Sequence, residues 1–227
     1  MNVPMSGVSV CAFDAYGTLF DIKAVVDSSR AALGPKADAL VDLWRRKQLE
    51  YSWLRSLMGR HSDFWHVTGE SLDYAFKALD IDDASLRARL MESYLCPNAY
   101  PEAKATLQSL KTAGYKLAIL SNGSPSMLTS ATKAAGLDDL FDVILSVESV
   151  GIYKPHPTAY RLVTDHFECQ PAGVAFLSSN GWDAAGGSAF GFQVVWVNRA
   201  GQPREVLPAA AHAEVSSLTA LPELFRL

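Results

Sequence analysis

The feature that most constrains the fold is a regular alternation of short apolar runs and longer amphipathic segments after Pro97. Apolar runs of four or five residues predict strands, and the segments between them have the length and spacing of helices. Such alternation is typical of βαβ units, whose strands lie parallel in one sheet. We therefore expect an α/β fold with strands at 116–120, 141–145, 174–177 and 193–197, and helices at about 101–113, 124–135, 157–167 and 182–190.

A further apolar run, 8–13, precedes a stretch of different character. Between 21 and 96 β-prone runs are rare, and apolar residues such as Leu40, Trp44 and Tyr51 recur at helical spacing. We expect an α/β core formed by 1–20 and 97–227, with 21–96 inserted as a helical subdomain. Because the insert leaves the core directly after the first strand, we expect it to cover the end of that strand.

The composition excludes several classes of protein. Of the 227 residues, 49% are hydrophobic and the net charge is only −4, which rules out a disordered chain. The 20 basic residues are outnumbered by 24 acidic ones, so we expect no nucleic-acid partner. No signal-like segment and no membrane-length apolar run is present, and the three cysteines are widely spaced. We expect a cytoplasmic protein without a membrane partner.

Polar side chains follow the predicted strands at the points where these strands end. In open parallel sheets, ligands bind outside the carboxyl ends of the strands. We therefore expect one ligand crevice to contain these side chains, which are Asp14 and Thr18 after the first strand, Ser121 and Asn122 after 116–120, Lys154 after 141–145, and Ser178, Asn180 and Asp183 after 174–177.

Asp14 is the first candidate for chemistry. An aspartate directly after a strand is usually a turn or capping residue. Here it stands beside Gly17 and Thr18 in a tight turn, where a carboxylate can act as a covalent nucleophile if a cationic partner keeps it ionised. Lys154, in the rigid segment before Pro155, is the natural partner, although alone it would be read as a surface lysine.

Four segments in this order resemble the motifs of the haloacid dehalogenase superfamily. They are FDAYGTL at 13–19, LSNG at 120–123, YKP at 153–155 and SSNGWD at 178–183. Within that superfamily, the chain is similar to the L-2-haloacid dehalogenases over almost its whole length, including LWRRKQLEY at 43–51. The resemblance implies a Rossmann-like core with a cap.

Two positions separate this chain from the magnesium phosphatases of the superfamily. Those enzymes have a second aspartate as acid/base where Tyr16 stands, and a metal-binding acid near Ser179. Magnesium prefers several carboxylate oxygens, and Asp14 and Asp183 are the evident ones. We expect no metal and no cofactor. A magnesium-dependent phosphatase or phosphonatase stays open as the alternative enzyme, and a catalytically silent binding module as the alternative of another class.

The resemblance implies a hydrolytic dehalogenase that converts short (S)-2-haloacids to (R)-2-hydroxyacids plus halide. Asp14 would form an ester with the carbon that carries the halogen, and Asp183 with Asn180 would direct water to that ester. Lys154 would keep Asp14 ionised, and Ser121 would bind the substrate carboxylate. Ser178 and Thr18 would supply supporting hydrogen bonds.

The departing halide needs a positively charged, dry pocket. Arg45 is the candidate, with Asn122 and Trp182, and a guanidinium there would stabilise developing charge. Arg46, where relatives often have glutamine, is the competing cation and would alter pocket charge or substrate preference; His156, where they often have aspartate, lies outside the chemistry. The predicted substrate-binding residues are completed by Tyr16, Leu49, Phe64 and Tyr160. Relatives are commonly homodimers, so we expect a homodimer through apolar faces of the insert.

Overall fold

The computed structural model describes residues 5–225, which form one parallel sheet of six strands with helices around it. The strand order is β3-β2-β1-β4-β5-β6, and every neighbouring pair is parallel. This confirms the predicted α/β class. The strands are β1 (Val10–Phe13), β2 (Lys116–Ser121), β3 (Val143–Ser146), β4 (Val174–Ser178), β5 (Gln193–Val197) and β6 (Ala213–Val215).

Helices make up the connection between β1 and β2. The first five, all within this connection, are α1 (Ala24–Asp27), α2 (Arg30–Leu33), α3 (Ala37–Met58), α4 (Phe64–Ala78) and α5 (Ala84–Leu95). The other five alternate with the strands: α6 (Ala103–Thr112), α7 (Pro125–Ala134), α8 (Pro157–Phe167), α9 (Gly181–Phe190) and α10 (Leu221–Phe225). The outermost positions of the predicted core, 1–4 and 226–227, lie outside the described residues.

Local signals explain the bounds of the long helices in this connection. Helix α3 ends at Gly59, which adopts a left-handed conformation with φ of 62°. Helices α4 and α5 begin after Asp63 and Asp83, and each carboxylate accepts a hydrogen bond of 2.8 Å from the third backbone N–H of its helix. The bounds of these three helices thus follow from local capping residues.

Strand β1 lies in the middle of the sheet and is buried on both faces. Its alternate side chains belong to two apolar cores, one containing Cys11 and Phe13 and the other containing Val10 and Ala12. Since β1 has β2 on one side and β4 on the other, the residues that follow these three strands meet at one edge. The fold therefore positions a site at their carboxyl ends.

Several predicted bounds and faces differ from those observed. The predicted 193–197 strand and 157–167 helix agree with β5 and α8, whereas the 8–13 strand begins only at Val10. Strand β6 and helix α10 were not predicted. Among residues 5–225, no helix combines the length and the hydrophobicity that a membrane crossing requires.

Candidate active site

The Asp14 carboxylate lies buried at the carboxyl end of β1, where three side chains contact it. Lys154 Nζ donates to Oδ1 at 2.9 Å, and Asn180 Nδ2 donates to Oδ2 at 3.0 Å. Thr18 Oγ1 donates to Oδ2 at 3.1 Å. The turn that follows depends on Gly17, whose φ of 91° is in the left-handed region that favours glycine. Hydrogen bonds to both oxygens therefore fix the orientation of the Asp14 carboxylate, which a nucleophile requires.

Lys154 lies between two carboxylates. Its side chain is only 1% exposed, and Nζ donates to Asp183 Oδ2 at 2.7 Å as well as to Asp14. Burial on its own would lower the pKa of Lys154, but the negative charges of Asp14 and Asp183 outweigh this effect, so its pKa is raised. The ammonium thus stays protonated and supplies the positive charge between the two acids.

Asp183, in the first turn of α9, is fully buried and accepts hydrogen bonds on both oxygens. Ser178 Oγ donates to Oδ2 at 2.9 Å and Tyr160 OH donates to Oδ1 at 2.7 Å. Burial raises the pKa of Asp183, the neighbouring charge of Asp14 adds to this rise, and Lys154 opposes it. A buried carboxylate with a raised pKa, fixed by three donors, is suited to accept a proton from water.

Arg45 connects helix α3 to this group. Its Nη2 donates to Asn180 Oδ1 at 3.2 Å, and its Nη1 donates to Gln48 Oε1 at 2.7 Å. Gln48 is buried and is fixed by Thr68, which accepts from its Nε2 at 2.7 Å, and by Tyr94, which donates to its Oε1 at 3.2 Å. The guanidinium is therefore oriented before any substrate binds.

Two of the predicted substrate-binding residues are buried among other side chains of the protein. Tyr160, predicted to bind substrate, is completely buried behind Asp183, where its hydroxyl bonds the carboxylate instead. The Phe64 ring is 2% exposed and packs on Tyr153, with ring centroids 5.8 Å apart. Their roles in substrate binding stay predictions.

Aromatic side chains lie near the Arg45 side of the site. Tyr16 packs on Tyr94 with ring centroids 5.2 Å apart, and its buried hydroxyl has no partner among the described residues. Trp182 packs edge-on against Trp53 at 5.3 Å, and the indole N–H groups of both are buried without a partner there. Unsatisfied buried donors are rare in folded proteins, and they are the groups that an anionic ligand would satisfy.

The remaining predicted residues have distinct positions. Ser121 is buried, and its Oγ accepts from the Gly123 N–H at 3.1 Å. Asn122 Oδ1 accepts from the Lys154 N–H at 3.0 Å, which fixes the segment that carries this lysine. Leu49 and Arg46 line a cavity on the outer side of Arg45. Arg46 is exposed there, and nothing in residues 5–225 pairs with its guanidinium.

The site is a cluster of fixed charges. Within the described part of the chain, no three His, Cys, Asp or Glu side chains are grouped closely enough to hold a metal ion. The positive charge between Asp14 and Asp183 is supplied by Lys154 at 2.9 and 2.7 Å. This arrangement can bind an anion, offer a carboxylate as nucleophile and offer a second carboxylate as base.

Sequence reasoning missed the supporting roles of Gln48, Tyr94 and Ser179. The Ser179 N–H donates to Thr18 Oγ1 at 2.8 Å, which orients the hydroxyl that contacts Asp14. The spacing of three residues between Arg45 and Gln48 was a usable signal, because residues so spaced are neighbours on a helix. No such signal marked Tyr94, because an aromatic residue in a helical segment is usually part of the core.

Comparisons with known proteins agree over nearly the whole chain. The haloacid dehalogenase-like hydrolase family model matches residues 8–191. The chain is 43% identical to (S)-2-haloacid dehalogenase 1 of Pseudomonas sp. (strain CBS-3), over 97% of each protein. It is 44% identical to (S)-2-haloacid dehalogenase 4A of Burkholderia cepacia, over 96% of this chain and 94% of that protein.

A solved structure shows the same fold with a bound substrate group. This is the L-2-haloacid dehalogenase from Xanthobacter autotrophicus with chloropropionic acid covalently bound; the TM-score is 0.90, at 39% identity over 96% of this chain and 98% of that one. Family model, sequence identity and fold agree with the motifs around Asp14, Lys154 and Asp183. The chain therefore belongs to the haloacid dehalogenase-like hydrolases and, within them, to the (S)-2-haloacid dehalogenase family.

Proposed function

We propose that this protein is an (S)-2-haloacid dehalogenase, a hydrolase that converts short (S)-2-haloacids to (R)-2-hydroxyacids and halide. The observation that carries this proposal is the buried Asp14–Lys154–Asp183 group, in which one ammonium contacts both carboxylates, at 2.9 and 2.7 Å. The two curated relatives named above carry the same activity in their names. We assign the short 2-haloacid as the partner of the site and halide as a product.

In the first step, a carboxylate oxygen of Asp14 attacks C2 of the substrate from the side opposite the halogen. The new O–C2 bond forms as the C2–halogen bond breaks, and halide leaves with the bonding electron pair. Attack from behind inverts C2, so an (S)-haloacid gives an (R)-product. Lys154 keeps Asp14 ionised before the attack, and Ser121 with neighbouring backbone N–H groups binds the substrate carboxylate.

In the second step, water cleaves the ester on Asp14. Asp183 accepts a proton from water while the water oxygen bonds to the Asp14 carbonyl carbon; Asn180 helps position the water. The bond between the carboxyl carbon and the substrate oxygen then breaks, and this oxygen takes the proton that Asp183 holds, so the product leaves as the hydroxyacid. The second proton of the water is released to solvent, and Asp14 returns as a carboxylate that contains one solvent oxygen. Tyr160 and Ser178 hold Asp183 in place at 2.7 and 2.9 Å.

Arg45 is the group that stabilises the departing halide. Its guanidinium is held by Gln48 and reaches Asn180, so it adjoins the reacting carboxylate. The unsatisfied N–H of Trp182 adds a second donor, and Tyr16 and Leu49 exclude water from the same side. Donors that are oriented before charge develops contribute about 3–4 kcal/mol each to a transition state.

We propose that 21–96 acts as a cap over a core formed by 1–20 and 97–227. Helix α3 supplies Arg45, which contacts Asn180 of the core, so the segment closes the site. The fold class supports this division because all five helices α1–α5 are inserted between β1 and β2. Displacement of this segment would open the buried Asp14 to substrate.

We also propose a homodimer and a cytoplasmic location. The last turns of α3 expose the apolar side chains of Leu57 and Met58, 84% and 63% exposed, which supports an interface on the insert. The three cysteines, Cys11, Cys96 and Cys169, are all free, as is usual in a reducing compartment. Light scattering of the wild type and of Leu57→Glu measures the oligomeric state. A monomeric wild type would contradict the proposed homodimer.

The deciding experiment measures halide release from (S)- and (R)-2-chloropropionate, each with and without a chelator. We expect release from the (S) form alone, at a rate that the chelator does not change. If neither enantiomer releases halide and the enzyme releases phosphate from a phosphate ester in a magnesium-dependent reaction, the phosphatase alternative replaces the proposal. An intact fold with no turnover of any haloacid or phosphate ester would favour a binding module.

A further inference from the structure

A cavity of about 490 Å³ lies on the outer side of Arg45, between α3 and the segment that follows β1. Its charged lining residues are Lys23, Asp42, Arg45 and Arg46, and the rest is mainly apolar, including Leu49 and Trp53. Three cations and one anion thus surround an apolar space. In the proposed function Ser121 binds the carboxylate of a short 2-haloacid and Arg45 faces its halogen, so Lys23 and Arg46 have no role in it.

The two outer cations are free. Lys23 and Arg46 are exposed, and within 5–225 neither side chain has a hydrogen-bond or ion-pair partner. Asp42 lies one helical turn before Arg46 on α3, but no ion pair joins them. The unpaired positive charges of Lys23 and Arg46 therefore favour the binding of an anion in the cavity.

Two side chains that line the cavity also contact residues of the site. Arg45 lines the cavity and also donates to Asn180, which itself donates to Asp14 Oδ2 at 3.0 Å. Trp53 lines it too and packs on Trp182, with centroids 5.3 Å apart. These two contacts join the lining of the cavity to residues of the site around Asp14.

We propose that this cavity is a subsite for a second carboxylate, so that the enzyme accepts 2-haloacids that carry a carboxylate at the far end of the chain. Arg46 and Lys23 bind that distal carboxylate, and Leu49 contacts the methylene groups. The proposal rests on the proposed function, because the same displacement at C2 by Asp14 releases the halide. The product is a 2-hydroxydicarboxylate.

The test compares (S)-2-bromoadipate with (S)-2-bromohexanoate, whose chains are equally long and differ by one distal carboxylate. The measured quantity is the ratio of their kcat/KM values for bromide release. For Arg46→Gln we expect this ratio to fall about five- to tenfold, and for Lys23→Gln by a smaller factor. Asp42→Asn should raise it, since the competing negative charge is removed. The effect should shrink with added salt, because the cations are exposed.

Arg60→Gln is the matched control. Arg60 is exposed, follows α3 and does not line the cavity, so this variant removes the same charge elsewhere and should leave the ratio unchanged. A ratio that Arg46→Gln and Lys23→Gln do not move, or that Arg60→Gln lowers equally, overturns the subsite. Failure to release bromide from (S)-2-bromohexanoate and chloride from (S)-2-chloropropionate would instead overturn the proposed function, so the two failures are distinguishable.

Discussion

Arg45 Nη2 donates a hydrogen bond to Asn180 Oδ1 at 3.2 Å, and this contact joins helix α3 to the loop that follows β4. Asn180 uses its amide nitrogen for Asp14 and its amide oxygen for Arg45. One asparagine side chain therefore contacts both the carboxylate that we propose as the nucleophile and the cation that we propose for the departing halide. The predictions below follow from contacts of this kind.

Arg45→Gln should lower kcat by roughly 100-fold, because a donor oriented toward developing negative charge is lost. Arg45→Lys should lose less, since it keeps the charge but not the paired donors. The loss should be greater for (S)-2-chloropropionate than for the bromo compound, because chloride is the poorer leaving group. Halide release measures this; equal losses for both halogens would contradict a role at the leaving group.

Asp14→Asn should lower the rate of halide release by at least about 10⁴-fold, since an amide is a poor nucleophile. The variant should stay folded, because Asn keeps an acceptor for Lys154; thermal unfolding provides this control. In the wild type, a single turnover in H₂¹⁸O should place the label in Asp14, as read by mass spectrometry. Label found only in the hydroxyacid would indicate direct attack by water.

Lys154→Met should destabilise the fold by about 3–5 kcal/mol, because it leaves Asp14 and Asp183 as buried like charges without a countercharge. The double variant Lys154→Met/Asp183→Asn should regain part of that loss, since one of the two charges is removed. Urea unfolding of both variants measures the difference. A single variant as stable as the wild type would argue against a structural contribution of this ion group.

The pH dependence of kcat follows from two raised pKa values. Asp183 acts as a base only when ionised, so its raised pKa places the acid limb at a higher pH than for an ordinary aspartate, and activity falls as the pH decreases through it. Lys154 keeps its proton beyond the ordinary value of 10.5, so activity should persist to alkaline pH. An alkaline loss near neutrality would contradict this assignment.

Tyr160→Phe separates a positioning role from a substrate contact. The hydroxyl of Tyr160 stabilises the charged form of Asp183, so its removal should raise the pKa of Asp183 further and move the acid limb of kcat to higher pH. The value of kcat should fall about tenfold while KM changes little. A change in KM alone, with the acid limb unmoved, would favour the contact with substrate that the sequence suggested.

Much of the fold was predictable because its signals are local. Buried parallel strands are continuous apolar runs, and the polar residues after them must meet at one edge, so Asp14, Lys154 and Asp183 could be grouped from the sequence. The same reasoning failed for β6, whose three residues have no recognisable pattern. It also did not predict the hydrogen bond from Tyr160 to Asp183, since a sequence does not say which buried group an aromatic hydroxyl contacts.

The central position of β1 has a consequence for the nascent chain. Val10 pairs with Lys116 on one side and with Val174 on the other, so both neighbours of β1 are synthesised long after it. At about 5–20 residues per second, β4 leaves the ribosome on the order of ten seconds after β1. Until then Asp14 lacks its contact with Asn180, and one edge of β1 is unpaired and able to form hydrogen bonds with another strand. The order of translation thus keeps the nucleophile inactive until its last partner has emerged.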